Sequence, residues 1–147
     1  MNAWQRRNGA ALRATLAALA LGVSAAWTLS ASAAAVAVTL SGAQEVPAVN
    51  MTARGDGTLN IGDDGSVSGS ITTSGITATA AHIHNAAAGK NGPVVVPLQK
   101  GSDGGWTVPS GAKLNPDQLK MFKAGELYVN VHSMAHPDGE IRGQLKP

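Results

Sequence analysis

Two alternating runs that face each other across a turn constrain the fold of this chain more than any other stretch. Thr58-Leu59-Asn60-Ile61 alternates polar with apolar, Gly62-Asp63-Asp64-Gly65 supplies turn chemistry, and Val67-Ser68-Gly69-Ser70-Ile71-Thr72 alternates again. Period-two patterning puts every second side chain on one face of a strand, and an Asp-Gly turn between two such runs makes a hairpin. The same pattern recurs along the chain. Val36 to Leu40 reads as a strand closed by Ser41-Gly42, and Val94-Val95-Val96 is β-branched throughout. Trp106 to Val108, Glu126 to His132 and Glu140 to Leu145 are further short strands, with turns at 101–105 and 134–139. Ala43 to Val49 is extended but broken by Pro47, which lacks a ladder donor and so belongs at a sheet edge or in a connection.

One helix interrupts this rhythm. Asn115 is placed as N-cap, Pro116 as the first helical residue and Gln118 as the far side of a capping box. Leu114 and Leu119 occupy staple positions, Phe122 shares a face with Leu119, and Gly125 stops the helix. It is expected as a lid over one end of the sheets. Many short strands, frequent turns and a single short helix predict an all-β, antiparallel β-sandwich, immunoglobulin-like or Cu/Zn superoxide dismutase-like. Only Trp106, Phe122 and Tyr128 are aromatic after residue 33, so the core must be built from Val, Ile, Leu and Ala.

Residues 1–33 are read as a signal peptide. Arg6, Arg7 and Arg13 precede or enter an apolar run from Leu12 to Leu29, and Ala31-Ser32-Ala33 fits a cleavage site, with Ser32 or Ala35 as alternatives. The run is too short and too interrupted to span a bilayer, which predicts export to a periplasm or beyond, with no membrane attachment after cleavage. Asn8-Gly9 after the arginine pair is a poor match to twin-arginine export. Without the three arginines, eight basic residues meet all nine acidic ones, a net charge of −1, and no case for nucleic acid remains. Residues 34–147 have the size of one domain, and the absence of cysteine excludes a disulfide scaffold.

All four histidines fall in two short runs, Ala81-His82-Ile83-His84-Asn85 and Asn130-Val131-His132-Ser133-Met134-Ala135-His136. On a strand His82 and His84 share one face, and Tyr128, Asn130 and His132 share a face of the other run. Converging neutral imidazoles make a site for copper, zinc or nickel, whereas scattered histidines would be ordinary surface or core groups. His82 and His84 are the first candidates, then His132, then His136, which could join only if the turn containing Pro137 folds back. Met134 could add thioether sulfur. Tyr128 and Asn130 could hydrogen-bond the site. Glu45 is a candidate ligand or outer carboxylate, or else the salt-bridge partner of Arg142. Glu140 and Arg142 alternate on the last strand, a pattern of cross-strand pairing. Hydrolase, calcium-loop and phosphate-loop patterns are missing.

Leu40-Ser41-Gly42-Ala43-Gln44-Glu45-Val46-Pro47, Ala80-Ala81-His82-Ile83-His84, Asn91-Gly92-Pro93-Val94-Val95, Leu127 to His132 and Gly139 to Leu145 occur in that order. Over about 40 to 145 the chain resembles the CHRD domain, named from chordin and frequent in secreted bacterial proteins. The resemblance implies a β-sandwich-like domain outside the cytoplasm, here residues 34–147, without a defined activity. Ala48 stands where the family often has a second proline. A further likeness, to Cu/Zn superoxide dismutase, is architectural and carries no activity, since the cysteine pair and zinc loop are missing. The leading expectation is an exported protein that carries or sequesters a metal ion, copper before zinc, without turnover. An adhesion or protein-binding module with merely structural histidines is the second, and a dismutase-like redox enzyme the third.

Overall fold

The computed structural model describes residues 32–147; the signal-peptide reading of 1–33 lies almost wholly outside them. Among the described residues nine strands form one antiparallel sheet: β1 (Ala33–Ser41), β2 (Arg54–Gly62), β3 (Val67–Ser74), β4 (Ala78–Asn85), β5 (Val94–Pro97), β6 (Gln99–Lys100), β7 (Gly105–Thr107), β8 (Leu127–Ser133) and β9 (Ile141–Leu145). Their spatial order is β5-β4-β8-β9-β1-β2-β3-β7-β6. The hairpin read from 58–72 is β2–β3, in register from Arg54↔Ser74 to Ile61↔Val67.

The expected all-β, antiparallel, sandwich-like class is correct, and the two layers belong to a single curling sheet. Its end strands β5 and β6 are consecutive in sequence, separated by Leu98 alone. Leu98 N–H donates to the Ala81 carbonyl of β4, and Lys100 Nζ reaches the Ala78 carbonyl, at 2.9 Å each. The sheet therefore nearly closes on itself, which shields the edges that an open sheet would leave unpaired. Strand β6 escapes a reading from sequence because Gln99-Lys100 has neither length nor apolar alternation; both residues are exposed.

Inward positions fill the closed space: Val36, Val38 and Leu40 of β1, Leu59 and Ile61 of β2, Ile71 of β3, Ile83 of β4, Val129 and Val131 of β8. Trp106, Leu114 and Phe122 join this aliphatic core. The helix α1 (Pro116–Lys123) starts as expected: Asn115 Oδ1 accepts from Gln118 N–H and Gln118 Oε1 from Asn115 N–H, both at 2.9 Å. It presses Phe122 onto the core and stops before Gly125, whose φ of +73° suits glycine. Among the described residues no helix is long and apolar enough to cross a membrane.

Strand β8 departs from the pattern. β1 alternates between exposed and buried, but in β8 every residue except the half-buried His132 is buried. In a sheet with one wet face, a strand dry on both sides must be covered from outside. The cover over Tyr128 and Asn130 consists of the loop 86–92 and the segments carrying Glu45 and Gly139.

Candidate metal centre

The β4–β8 register pairs His82 with Asn130, His84 with Tyr128 and Ala80 with His132. The two histidines of β4 and the three outward residues of β8 thus lie on one face, while Ile83 and Val131 point into the core. His82, His84 and His132 each offer one ring nitrogen, and these nitrogens all lie within 4.8 Å of one another. Ring centroids are 4.9 Å apart for His82–His132, 5.5 Å for His82–His84 and 5.8 Å for His84–His132.

Backbone carbonyls fix the tautomers. His84 Nδ1 lies 2.9 Å from the Gly92 oxygen and His132 Nδ1 2.9 Å from the Pro137 oxygen. A carbonyl only accepts, so each Nδ1 carries the hydrogen and each Nε2 keeps a lone pair. His82 Nδ1 stands 3.1 Å from His132 Nε2 and must donate to it. Buried His84 Nε2 has no partner at all. Burial, then the neighbouring imidazoles, holds His82 below the usual histidine range. Burial also lowers His84, opposed in part by its bond to Gly92. Both rings are therefore neutral near neutral pH, the form that binds a metal.

Around this group a stacked column runs across the sheet. His84 lies nearly parallel to the Tyr128 ring, 15° and 5.1 Å between centroids, and the Arg142 guanidinium sits 3.5 Å from the centre of the same ring. Arg142 is 1% exposed and ties down the loop 86–92 by donating to the carbonyls of Ala87 and Lys90, at 3.2 and 2.7 Å. Tyr128 Oη accepts from Gly92 N–H, so the column and the loop together aim the Gly92 carbonyl at His84.

The remaining candidates divide. Asn130 donates its amide to both oxygens of Glu45, at 3.0 Å each. Glu45 is thus held one residue away from the imidazoles and is not among the converging groups, which answers the ligand alternative. Nor does it form an ion pair with Arg142; the charge is felt without contact. Its carboxyl is pushed up to about 7 by burial, against the hydrogen bond from Asn130 and the charge of Arg142. His136 is not brought to the group. The 134–139 turn folds back as the spacing required, but what it delivers to His132 is the Pro137 carbonyl, while His136 borders a depression with Glu45 and Pro47. Met134 is 87% exposed and stands in solvent. Sequence reasoning misses Gly92 and Pro137, whose backbone oxygens leave no mark in residue type.

A three-histidine group on a covered strand of a nearly closed sheet, framed by the stretches 40–47 and 139–145, can be compared with known families. The family model for the CHRD domain matches residues 36–145. The chain belongs to the CHRD domain family. No curated protein and no solved structure matches it. Within this CHRD domain the three imidazoles, preset by two carbonyls, could hold a metal ion.

Proposed function

We propose that this protein is an exported CHRD domain that carries or sequesters a copper ion on His82, His84 and His132. The observation that carries the reading is the tautomer lock: two Nδ1–H groups given to the Gly92 and Pro137 carbonyls, leaving an Nε2 lone pair on each ring, in a group whose ring nitrogens lie within 4.8 Å of one another. Histidines kept for structure alone have no need of an unpartnered buried Nε2, an arrangement that costs free energy until something binds it. Binding through His82 Nδ1 requires that neutral ring to carry its hydrogen on Nε2 instead, a change of tautomer with no net proton released. Copper is preferred over zinc because an all-imidazole set follows the general affinity order, in which copper exceeds zinc. Met134 takes no part in this preference. Export is supported by the basic and apolar run ahead of residue 34, and it puts the protein in a periplasm or outside the cell.

Calorimetric titration with Cu(II), with Zn(II) and, anaerobically, with Cu(I) tests the reading. Saturable binding at one ion per chain is expected, abolished by His84→Ala and weakened at least tenfold by His82→Ala. Absence of saturable binding would leave a protein-interaction module. A superoxide or peroxide turnover assay on the loaded protein separates carriage, for which no turnover is expected, from a redox enzyme.

A further inference from the structure

Three features of the surroundings bear on the charge of the ion, a question the ligand set alone leaves open. First, no carboxylate belongs to the converging group, so the donors are three imidazoles without negative charge. Second, the framework stacked behind His84 is cationic. Arg142 is 1% exposed and lies 3.5 Å from the centre of the Tyr128 ring that stacks on His84 at 5.1 Å, so its charge is within about 9 Å of that ligand and little screened by water. Third, His84 Nε2 is shut off from solvent, whereas His82 and His132 keep partial exposure. An ion can enter from their side.

These features disfavour a dication. Cu(II) seeks a tetragonal set of four or more donors, and Zn(II) with three protein ligands keeps a water in the fourth position. A closed-shell monovalent copper ion is satisfied by three nitrogens and carries half the charge toward Arg142. We infer that the cargo of this site is Cu(I), selected over Cu(II) and Zn(II) by a neutral three-nitrogen donor set beside the buried Arg142–Tyr128 stack. The inference rests on the metal-binding reading and sharpens it. The effect of Arg142 follows from Coulomb's law: one extra unit of charge at about 9 Å, in the effective dielectric of a protein, changes affinity roughly ten- to thirtyfold.

The test is competition under anaerobic conditions: Cu(I) against bicinchoninate, and Cu(II) and Zn(II) each against a chelator of known affinity, for the full chain and for Arg142→Gln. The protein is expected to bind Cu(I) at least tenfold more tightly than either dication, with three nitrogen neighbours in the X-ray absorption of the loaded form. Arg142→Gln should shrink the Cu(I) to Cu(II) preference by roughly tenfold; using the ratio cancels any general loosening of the loop that Arg142 holds. Equal or tighter binding of Cu(II) or Zn(II) by the unsubstituted protein overturns the inference while leaving a metal site, and so does an unchanged ratio in the variant. If no ion binds, the metal reading itself falls. Should the variant fail to fold, the comparison of the three ions on the parent chain still decides.

Discussion

Glu45 shows how far the environment of one side chain can be turned into a measurable property. It is 6% exposed, accepts two hydrogen bonds from Asn130, and its carboxyl is raised from 4.5 to about 7 by burial. Between those two values the folded protein binds the proton that the unfolded chain has released, so stability falls as pH rises. The contribution is fully present below pH 4.5 and is lost as pH passes through 7. His82 and His84 act with the opposite sign: their lowered values cost stability as pH falls below the ordinary histidine range. The difference between the protein and Glu45→Gln isolates the carboxyl. Urea denaturation at pH 5 and at pH 8 should show the native protein losing about 1–3 kcal/mol more than Glu45→Gln over that interval. Parallel pH dependence in the two proteins would mean that the carboxyl is already ionised and well solvated in the fold.

At the scale of elements, the loop 86–92 holds the site together although nothing in its composition says so. Small residues with Gly89, Lys90 and Gly92 read as a plain connection, yet the loop receives hydrogen bonds from Arg142 and Gln144 and gives one to Tyr128 Oη. Strand direction, His-x-His geometry and the capped helix are legible because period and cap chemistry are written in side chains. The His136 assignment fails and the carbonyl tethers go unseen because where a turn points its backbone oxygens depends on tertiary packing. The family resemblance, by contrast, is legible in five ordered motifs, and the match over residues 36–145 agrees with it. Gly92 is the place to test the loop. A Cβ there would sit 1.8 Å from the Asn85 oxygen, so the chain must shift and carry the Gly92 carbonyl off His84. Gly92→Ala is expected to weaken metal binding by roughly 10–100-fold, the usual cost of losing a ligand's orienting partner, with the β-sheet circular dichroism retained. Unchanged affinity would show that the carbonyl does not set the tautomer.

Taken as a whole, the molecule folds around its aliphatic core and sets the histidines on the outside of that core. In small metal-dependent domains the ion replaces a missing core, and removing it unfolds the chain. Here Leu40, Leu59, Ile83, Leu127, Val129, Val131, Ile141 and Leu145 are wholly buried without any help from an ion. The ligands come from two neighbouring strands whose register is already fixed by the ladder from Ala78↔Ser133 to Asn85↔Leu127. On the proposed reading, metal binding would add to a structure that exists, and its effect on stability would be pure mass action, about 2.7 kcal/mol at a free ion concentration one hundred times the dissociation constant. For a domain of this size that corresponds to a rise in Tm on the order of 10 °C. Scanning calorimetry should find the chelator-treated protein folded and cooperatively melting, its Tm climbing with the logarithm of added ion, and the climb absent in His84→Ala. A chelated protein that has lost its β-sheet signal would assign the ion to the fold itself. A Tm indifferent to the ion would mean that the three imidazoles face one another for reasons of packing alone.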